Sequence, residues 1–238
     1  MVLLRGNVKG VLWVAVIPAA VAVLLLVTMV REPEQALATT AARIPIRFAD
    51  AASLSTDYWL TVALGSMFTL ARFSEAFLIL RAQRAGLSAT YVPIVLVVMN
   101  VVYTVGAYPA GVASDRWRPR TLLLAGVGVL IVADVMLAMA ASVTLVLAGA
   151  GLWGLHKALT QGLFSKLVAD TASAPLRGTA FGVFNLATGI SALLASLIAG
   201  ALWNTLGPGA TFRVGAASAA VTAGGALHFS GLTMKSLK

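Results

Sequence analysis

The apolar positions of the chain form long runs that alternate with short polar segments. Three of these runs contain no charged residue, and the others contain few. A stretch of about 20 mostly apolar residues is long enough to cross a bilayer as a helix. The pattern therefore predicts an all-α membrane protein with seven transmembrane helices, at residues 11–30, 58–80, 89–113, 121–141, 143–165, 179–202 and 210–230.

Composition supports a chain embedded in a lipid bilayer and argues against nucleic-acid, metal and cofactor binding. Hydrophobic residues make up 60% of the 238 positions and charged residues 11%, whereas a soluble domain has roughly 25% charged residues. The net charge of +9 would suggest nucleic acid in a soluble protein, but no basic and aromatic interleaving lies outside the apolar runs, so we expect no nucleic-acid partner. With no cysteine and two distant histidines, we expect no disulfide, metal site or cofactor.

The first apolar run and the segment after it divide the chain into three parts. The run could belong to a signal peptide, but it is longer than the about 7–15 residues of a signal core, and the polar sequence REPEQ follows it. We therefore predict a lone transmembrane helix at 1–30, a cytoplasmic linker at 31–57 and a six-helix bundle at 58–238.

The positive charges predict an orientation. When the loops are assigned alternately to two sides, ten Lys and Arg residues fall with the linker, the DRWRPR loop and the C-terminus, and five fall on the other side. The positive-inside rule places the first side, with the C-terminus, in the cytoplasm. Arg5 and Lys9 disagree, because they fall outside. The conflict disappears if this segment is an internal loop of a longer protein, so we expect the chain to be a fragment.

Charge is concentrated in one loop, GVASDRWRPRT at residues 111–121. This loop resembles the cytoplasmic motif G-x-x-x-D-R-x-G-R-R of the major facilitator superfamily, in the copy between the second and third helices of the C-terminal half. The matching positions are Gly111, Asp115, Arg116 and Arg120. Arg118 and Pro119 stand where the motif has Gly and Arg.

Two further segments resemble the same family in the same order. VIPAAVAVLLLVTMVREPE is similar to the sixth helix and its exit. APLRGTAFGVFN is similar to the P-x-x-R-G-x-x-x-G start of the eleventh helix, and its motif residues are Pro175, Arg177 and Gly178. The resemblance implies that the chain corresponds to helices six to twelve of a twelve-helix transporter. A three-plus-three inverted repeat would suit the six bundled helices.

Asp115 gives the charged loop two alternative roles. The arginines can anchor the helix ends at anionic headgroups. Alternatively, the carboxylate of Asp115 accepts hydrogen bonds from Arg116 or Arg120, or caps a neighbouring helix, and this latch opens and closes as the transporter changes conformation. The resemblance favours the gating role.

Two charged residues inside the second run form the next candidate site. Arg72 and Glu75 are three residues apart, which places them on one face of a continuous helix. They could simply neutralise each other. Because the resemblance makes this helix line the central cavity, they could equally form part of a pathway, with Glu75 as a protonatable coupling residue whose charged form Arg72 favours.

The fifth run adds polar candidates to the pathway. His156, Lys157 and Gln161 lie in it, and the last two are four residues apart on one face, as a polar stripe for substrate would be. His156 is equally suited to a packed, hydrogen-bonded position, and we interpret Asp134 of the fourth run as structural. The fifth run also contains a G-x-G-x-x-G sequence at residues 149–154, which we interpret as helix packing and not as a dinucleotide site.

The resemblance implies a secondary transporter for a small solute, and no enzyme. The expected form is a proton-coupled antiporter for efflux of drugs or metabolites in a bacterial inner membrane, acting by alternating access. The expected partners are the bilayer, the solute, protons, and a missing N-terminal half or another membrane subunit. The alternatives are an uptake symporter of the same fold and a half-length partner or truncated chain that does not transport by itself.

Overall fold

The computed structural model describes residues 8–29 and 53–233. By contacts, the chain forms two units, Met1–Arg47 and Phe48–Lys238. In the first unit, helix α1 spans Val8–Met29 and contains Pro18. Residues 30–52, which include most of the linker predicted at 31–57, lie outside the described residues.

The described residues of the second unit are mostly helical and contain no strand. Its helices are α2 (Thr56–Ala71), α3 (Ala76–Arg84), α4 (Pro93–Arg116), α5 (Pro119–Met139), α6 (Val143–Thr171), α7 (Arg177–Leu206) and α8 (Pro208–Thr233), with a 3-10 turn at Ala174–Leu176. Five helical stretches are long and apolar enough to cross a membrane, namely α2 with α3, α4, α5, α6, and the 3-10 turn with α7. Val16–Met29 is a shorter apolar helix, and α8, with 26 residues, is not among the five stretches. The predicted fold class is confirmed.

The second predicted span is not one helix, and this corrects the sequence prediction. Helix α2 ends at Ala71, Arg72 has an extended backbone, and α3 begins at Ala76. Phe73 is buried between the two helices, where its ring contacts those of Phe77, Trp153 and Phe212. We attribute the break to this aromatic packing, because no proline or glycine interrupts the sequence from Ser66 to Ala85.

Hydrogen bonds at one end of the bundle connect α2 to α6 and α7. The Ser55 hydroxyl accepts a hydrogen bond from the Tyr58 N–H at 3.2 Å and donates one to the Thr171 carbonyl at 3.2 Å. The buried Tyr58 hydroxyl donates to the Ala180 carbonyl at 2.9 Å. These bonds fix the start of α2 beside the end of α6 and the start of α7.

Small residues allow the helices to approach closely, as the sequence predicts. In α7, the buried positions include Ser191, Ala195 and Ala199, which recur every fourth residue. In α6, Gly154 lies directly against the Met99 carbonyl of α4. The interpretation of residues 149–154 as helix packing is therefore confirmed, since a side chain larger than hydrogen has no room at position 154.

Candidate functional site

Two adjoining pockets form a cleft between α2, α6 and α7. The pocket beside the helix break has a volume of about 530 Å³. The second pocket has a volume of about 380 Å³ and lies beside α2, α6 and α7. The two pockets share three lining residues, Thr69, Arg72 and Ala192. Arg72 therefore lies where the two pockets meet. The break in the helix thus opens directly onto the cleft.

Glu75, which lines the larger pocket, forms an ion pair with Lys157 of α6. The Lys157 Nζ lies 2.6 Å from the Glu75 Oε1, and the Lys157 side chain is 15% exposed while that of Glu75 is 39% exposed. The Lys157 ammonium also lies 5.5 Å from the centre of the Tyr103 ring. The carboxylate compensates the lysine charge at a depth where a charged group costs several kcal/mol when it has no partner.

This ion pair corrects the predicted relation between Arg72 and Glu75. The two residues lie in the segment between α2 and α3, so they do not share a face of one helix. The carboxylate pairs with Lys157, which is 82 residues away in sequence. Sequence spacing along one helix therefore could not identify the partner.

Arg72 faces the cleft without a carboxylate in contact. Its guanidinium lies 5.8 Å from the centre of the Phe68 ring. Among residues 8–29 and 53–233, no ion pair and no side-chain hydrogen bond of Arg72 is present. The sequence identifies this arginine as a candidate, but it could not show that the guanidinium lacks an ion pair and a side-chain hydrogen bond with the described residues.

The polar residues predicted to form one stripe on α6 lie in three different environments. Gln161 is exposed and lines the smaller pocket, whereas Lys157 reaches toward the helix break. His156 lies outside both pockets and is fully buried. Its Nδ1 is 3.0 Å from the Gly126 carbonyl, and its ring packs against Phe68. Of the two alternatives for His156, these contacts favour the packed, hydrogen-bonded position.

Asp134 lies behind the cleft wall. Its Oδ1 accepts a hydrogen bond from the Trp153 indole N–H at 3.0 Å, and its side chain is fully buried. Trp153 in turn lines the larger pocket. The structural role expected for Asp134 is consistent with this bond, which fixes the tryptophan ring. Its link to the cleft wall was missed, because the two residues lie on different helices.

The charged loop joins α4 to α5 by a tight connection. Helix α4 ends at Arg116, and Arg118 has an extended backbone before α5 begins. Asp115 lies 3.7 Å from the Nζ of Lys166 on α6, and the same Nζ donates to the Ser114 carbonyl at 3.2 Å. The contact of Asp115 is thus with Lys166 and not with Arg116 or Arg120 as expected. Gly111 has open space beside it.

The predicted helix-start motif lies where α7 begins. Pro175 is in the 3-10 turn, Arg177 is the first residue of α7, and Gly178 has open space beside its Cα. Only Leu176 separates Pro175 from Arg177, one residue fewer than in the family motif. The motif therefore lies at the start of the helix, and within residues 8–29 and 53–233 it makes no contact that would give it a further role.

Membrane-length helices around a cleft with aromatic and polar walls define a multi-pass integral membrane protein. The sequence pattern of the Major Facilitator Superfamily matches residues 67–232. An uncharacterized MFS-type transporter of Methanocaldococcus jannaschii is 32% identical over 176 residues, which cover 71% of this chain and 44% of that protein. The chain belongs to the Major Facilitator Superfamily, and the resemblance seen in the motifs is confirmed.

More distant relatives match a shorter part of the chain. Uncharacterized proteins of Mycobacterium bovis and Mycobacterium tuberculosis are 30% identical over 109 residues, which cover 46% of this chain and 26% of each relative. The chain therefore spans less than half the length of the relatives it matches.

Proposed function

We propose that the chain is the C-terminal part of a secondary transporter, corresponding to helices six to twelve, that moves a small solute by alternating access. Family membership and a polar cleft beside a broken membrane helix support this function. In transporters, solute sites are commonly built where a membrane helix is discontinuous. The observation that carries the proposal is the ion pair between Glu75 and Lys157 at the break.

Glu75 is the proton-coupling residue in this proposal. Its carboxylate is within reach of solvent in the cleft, and protonation would remove the negative partner of Lys157. Breaking a close ion pair between α6 and the start of α3 would then permit these helices to separate. Proton binding and conformational change are linked in this way through one contact.

The loop motif is proposed to act as a latch on the cytoplasmic side. Asp115 at the end of α4 and Lys166 on α6 are 3.7 Å apart and both are well exposed. An exposed pair of this kind is weak, at roughly 0–1 kcal/mol, so it can form and break during each cycle.

The expected mode is proton-coupled efflux of drugs or metabolites across a bacterial inner membrane, with an N-terminal half or another subunit completing the carrier. An uptake symporter is the second candidate, because protonation of Glu75 would leave both Lys157 and Arg72 positive. Proton binding would then strengthen the binding of an anionic solute, and the two would move together.

Proton flux in proteoliposomes tests the coupling. The protein is reconstituted, with whatever adjoining sequence its gene encodes, around a trapped pH dye, and p-toluenesulfonate, ethidium or glucose is added outside. Efflux antiport makes the interior alkaline, whereas symport makes it acidic. Glu75→Gln is expected to abolish the proton flux while solute exchange continues.

The matched control is Asp170→Asn, which removes an exposed carboxylate near the end of α6. This variant is expected to retain the wild-type proton flux. Proton flux that survives Glu75→Gln would contradict the coupling role, and the absence of flux with all three solutes would contradict proton coupling altogether.

A further inference from the structure

We propose that the cleft selects organic anions and that Arg72 is the residue that binds their charged group. The proposal names the substrate class for the transport function above and rests on it; of the two coupling modes given there, an anionic solute favours the symporter. Arg72 lines both pockets at the position where they join. A solute that occupied the cleft would therefore meet the guanidinium whichever pocket held its larger part.

Arg72 and Glu75 are the charged side chains that line the two pockets. Glu75 is already engaged at 2.6 Å by Lys157, which lines neither pocket, so this pair contributes no net charge. Arg72 adds one positive charge, and an arginine side chain remains charged in proteins. Asp134 does not offset it at the cleft surface, because this carboxylate is fully buried behind Trp153 and bonded to its indole.

A guanidinium at membrane depth costs several kcal/mol when it has no partner. The Phe68 ring lies 5.8 Å away and provides part of the compensation, because a cation is attracted to an aromatic face. It leaves the hydrogen-bond donors of the guanidinium unused in the part of the chain that the structure describes. These donors match the oxygens of a carboxylate or sulfonate, which a guanidinium binds with two parallel hydrogen bonds.

The remaining walls indicate an anion with an apolar body. Beside the break, Phe73 and Trp153 line the larger pocket together with the hydroxyl groups of Ser74 and Ser196. The smaller pocket has Phe164 and further aromatic and amide side chains. Aromatic walls with a few polar groups suit a solute that is mostly apolar and carries one charged group.

Equilibrium dialysis with three ligands of similar size tests the proposal. They are radiolabelled p-toluenesulfonate, its uncharged analogue p-toluenesulfonamide, and the cation benzyltrimethylammonium. The protein is used in detergent with whatever adjoining sequence its gene encodes. A hydrogen-bonded charge pair contributes about 1.5–3 kcal/mol, so the sulfonate is expected to bind at least about tenfold more tightly than the sulfonamide.

Variants at position 72 test whether Arg72 is the source of the preference for the sulfonate over the sulfonamide. Arg72→Gln is expected to bind the sulfonate and the sulfonamide equally. Arg72→Lys keeps the charge but not the two parallel donors, so it should retain a reduced preference. The matched control is Arg213→Gln, which removes an exposed arginine whose Nε bonds the Gly209 carbonyl within α8. This control should retain the full preference.

Several outcomes would overturn the proposal. They are an absence of sulfonate binding, equal or tighter binding of the sulfonamide or the cation by the wild type, and a full preference in Arg72→Gln. If Arg72→Gln does not fold, binding of the three ligands to the wild type and to Arg72→Lys still tests the proposal. An anion preference that depends on Arg72 in a protein whose proton flux survives Glu75→Gln would support this proposal while refuting the coupling role.

Discussion

Arg81, in the last turn of α3, binds the end of a neighbouring helix and provides a direct test of how the broken span is held. Its Nε donates to the Leu137 carbonyl at 2.8 Å, and one terminal nitrogen donates to the Ala140 carbonyl at 2.7 Å. The Ala138 carbonyl lies farther away, at 3.5 Å. These carbonyls belong to the C-terminal turn of α5, where helical partners are lacking. We expect Arg81→Ala to loosen α3 from α5.

The size of the effect follows from the two short bonds. A hydrogen bond that involves a charged group contributes about 1.5–3 kcal/mol. Because Arg81 is partly exposed, solvent screening roughly halves that value, and the loss of both bonds should total about 1.5–3 kcal/mol. For a chain of this size, each kcal/mol lowers the melting temperature by about 2–4 °C, so we expect a decrease of roughly 3–12 °C.

Thermal unfolding in detergent, followed by tryptophan fluorescence, measures this decrease. Arg84→Ala is the matched control, because Arg84 lies on the same helix three residues later, is exposed and has no side-chain hydrogen bond within the described ranges. Its melting temperature should stay within about 2 °C of wild type, since surface substitutions change stability by about 0.5 kcal/mol or less. Equal decreases for Arg81→Ala and Arg84→Ala would refute the reasoning.

Three further predictions concern the bundle. In a double-mutant cycle, Glu75→Gln and Lys157→Gln should show a coupling of at least about 1 kcal/mol in thermal unfolding, and additive effects would argue against the ion pair. Gly154→Ala should lower the melting temperature, because the added Cβ meets the Met99 backbone carbonyl. Gly162→Ala, at a position with open space, should not lower it. Equal effects of the two variants would count against the close crossing of α4 and α6. Asp115→Asn should change unfolding stability by less than about 1 kcal/mol, and a larger loss would show that the contact is not a weak latch.

The extent of the membrane helices could be predicted from sequence, because the bilayer imposes one length on every apolar run. The predicted ends of the helices were less accurate. Helix α6 continues to Thr171, although its predicted span ends at 165, since polar residues such as Lys166 extend the helix beyond the apolar run. Hydropathy marks the part of a helix that lipid requires and not the point where its backbone stops.

The site could be predicted only as a set of residues. Arg72, Glu75 and Lys157 were identified because charges inside an apolar run are costly, and this argument is local. Which of them pair depends on contacts between helices far apart in sequence. The break at residues 72–75 also had no local signal, because packing of Phe73 against Trp153 and Phe212 decides it.

The interruption between α2 and α3 creates two new helix termini at the depth of the cleft. Arg72 follows the carboxyl end of α2, and Glu75 precedes the amino end of α3. Aligned peptide dipoles place about half a negative charge at the first terminus and about half a positive charge at the second. Each side chain is therefore attracted by the terminus beside it. A continuous helix would remove both attractions, so the charges of Arg72 and Glu75 help to stabilise the interruption between α2 and α3.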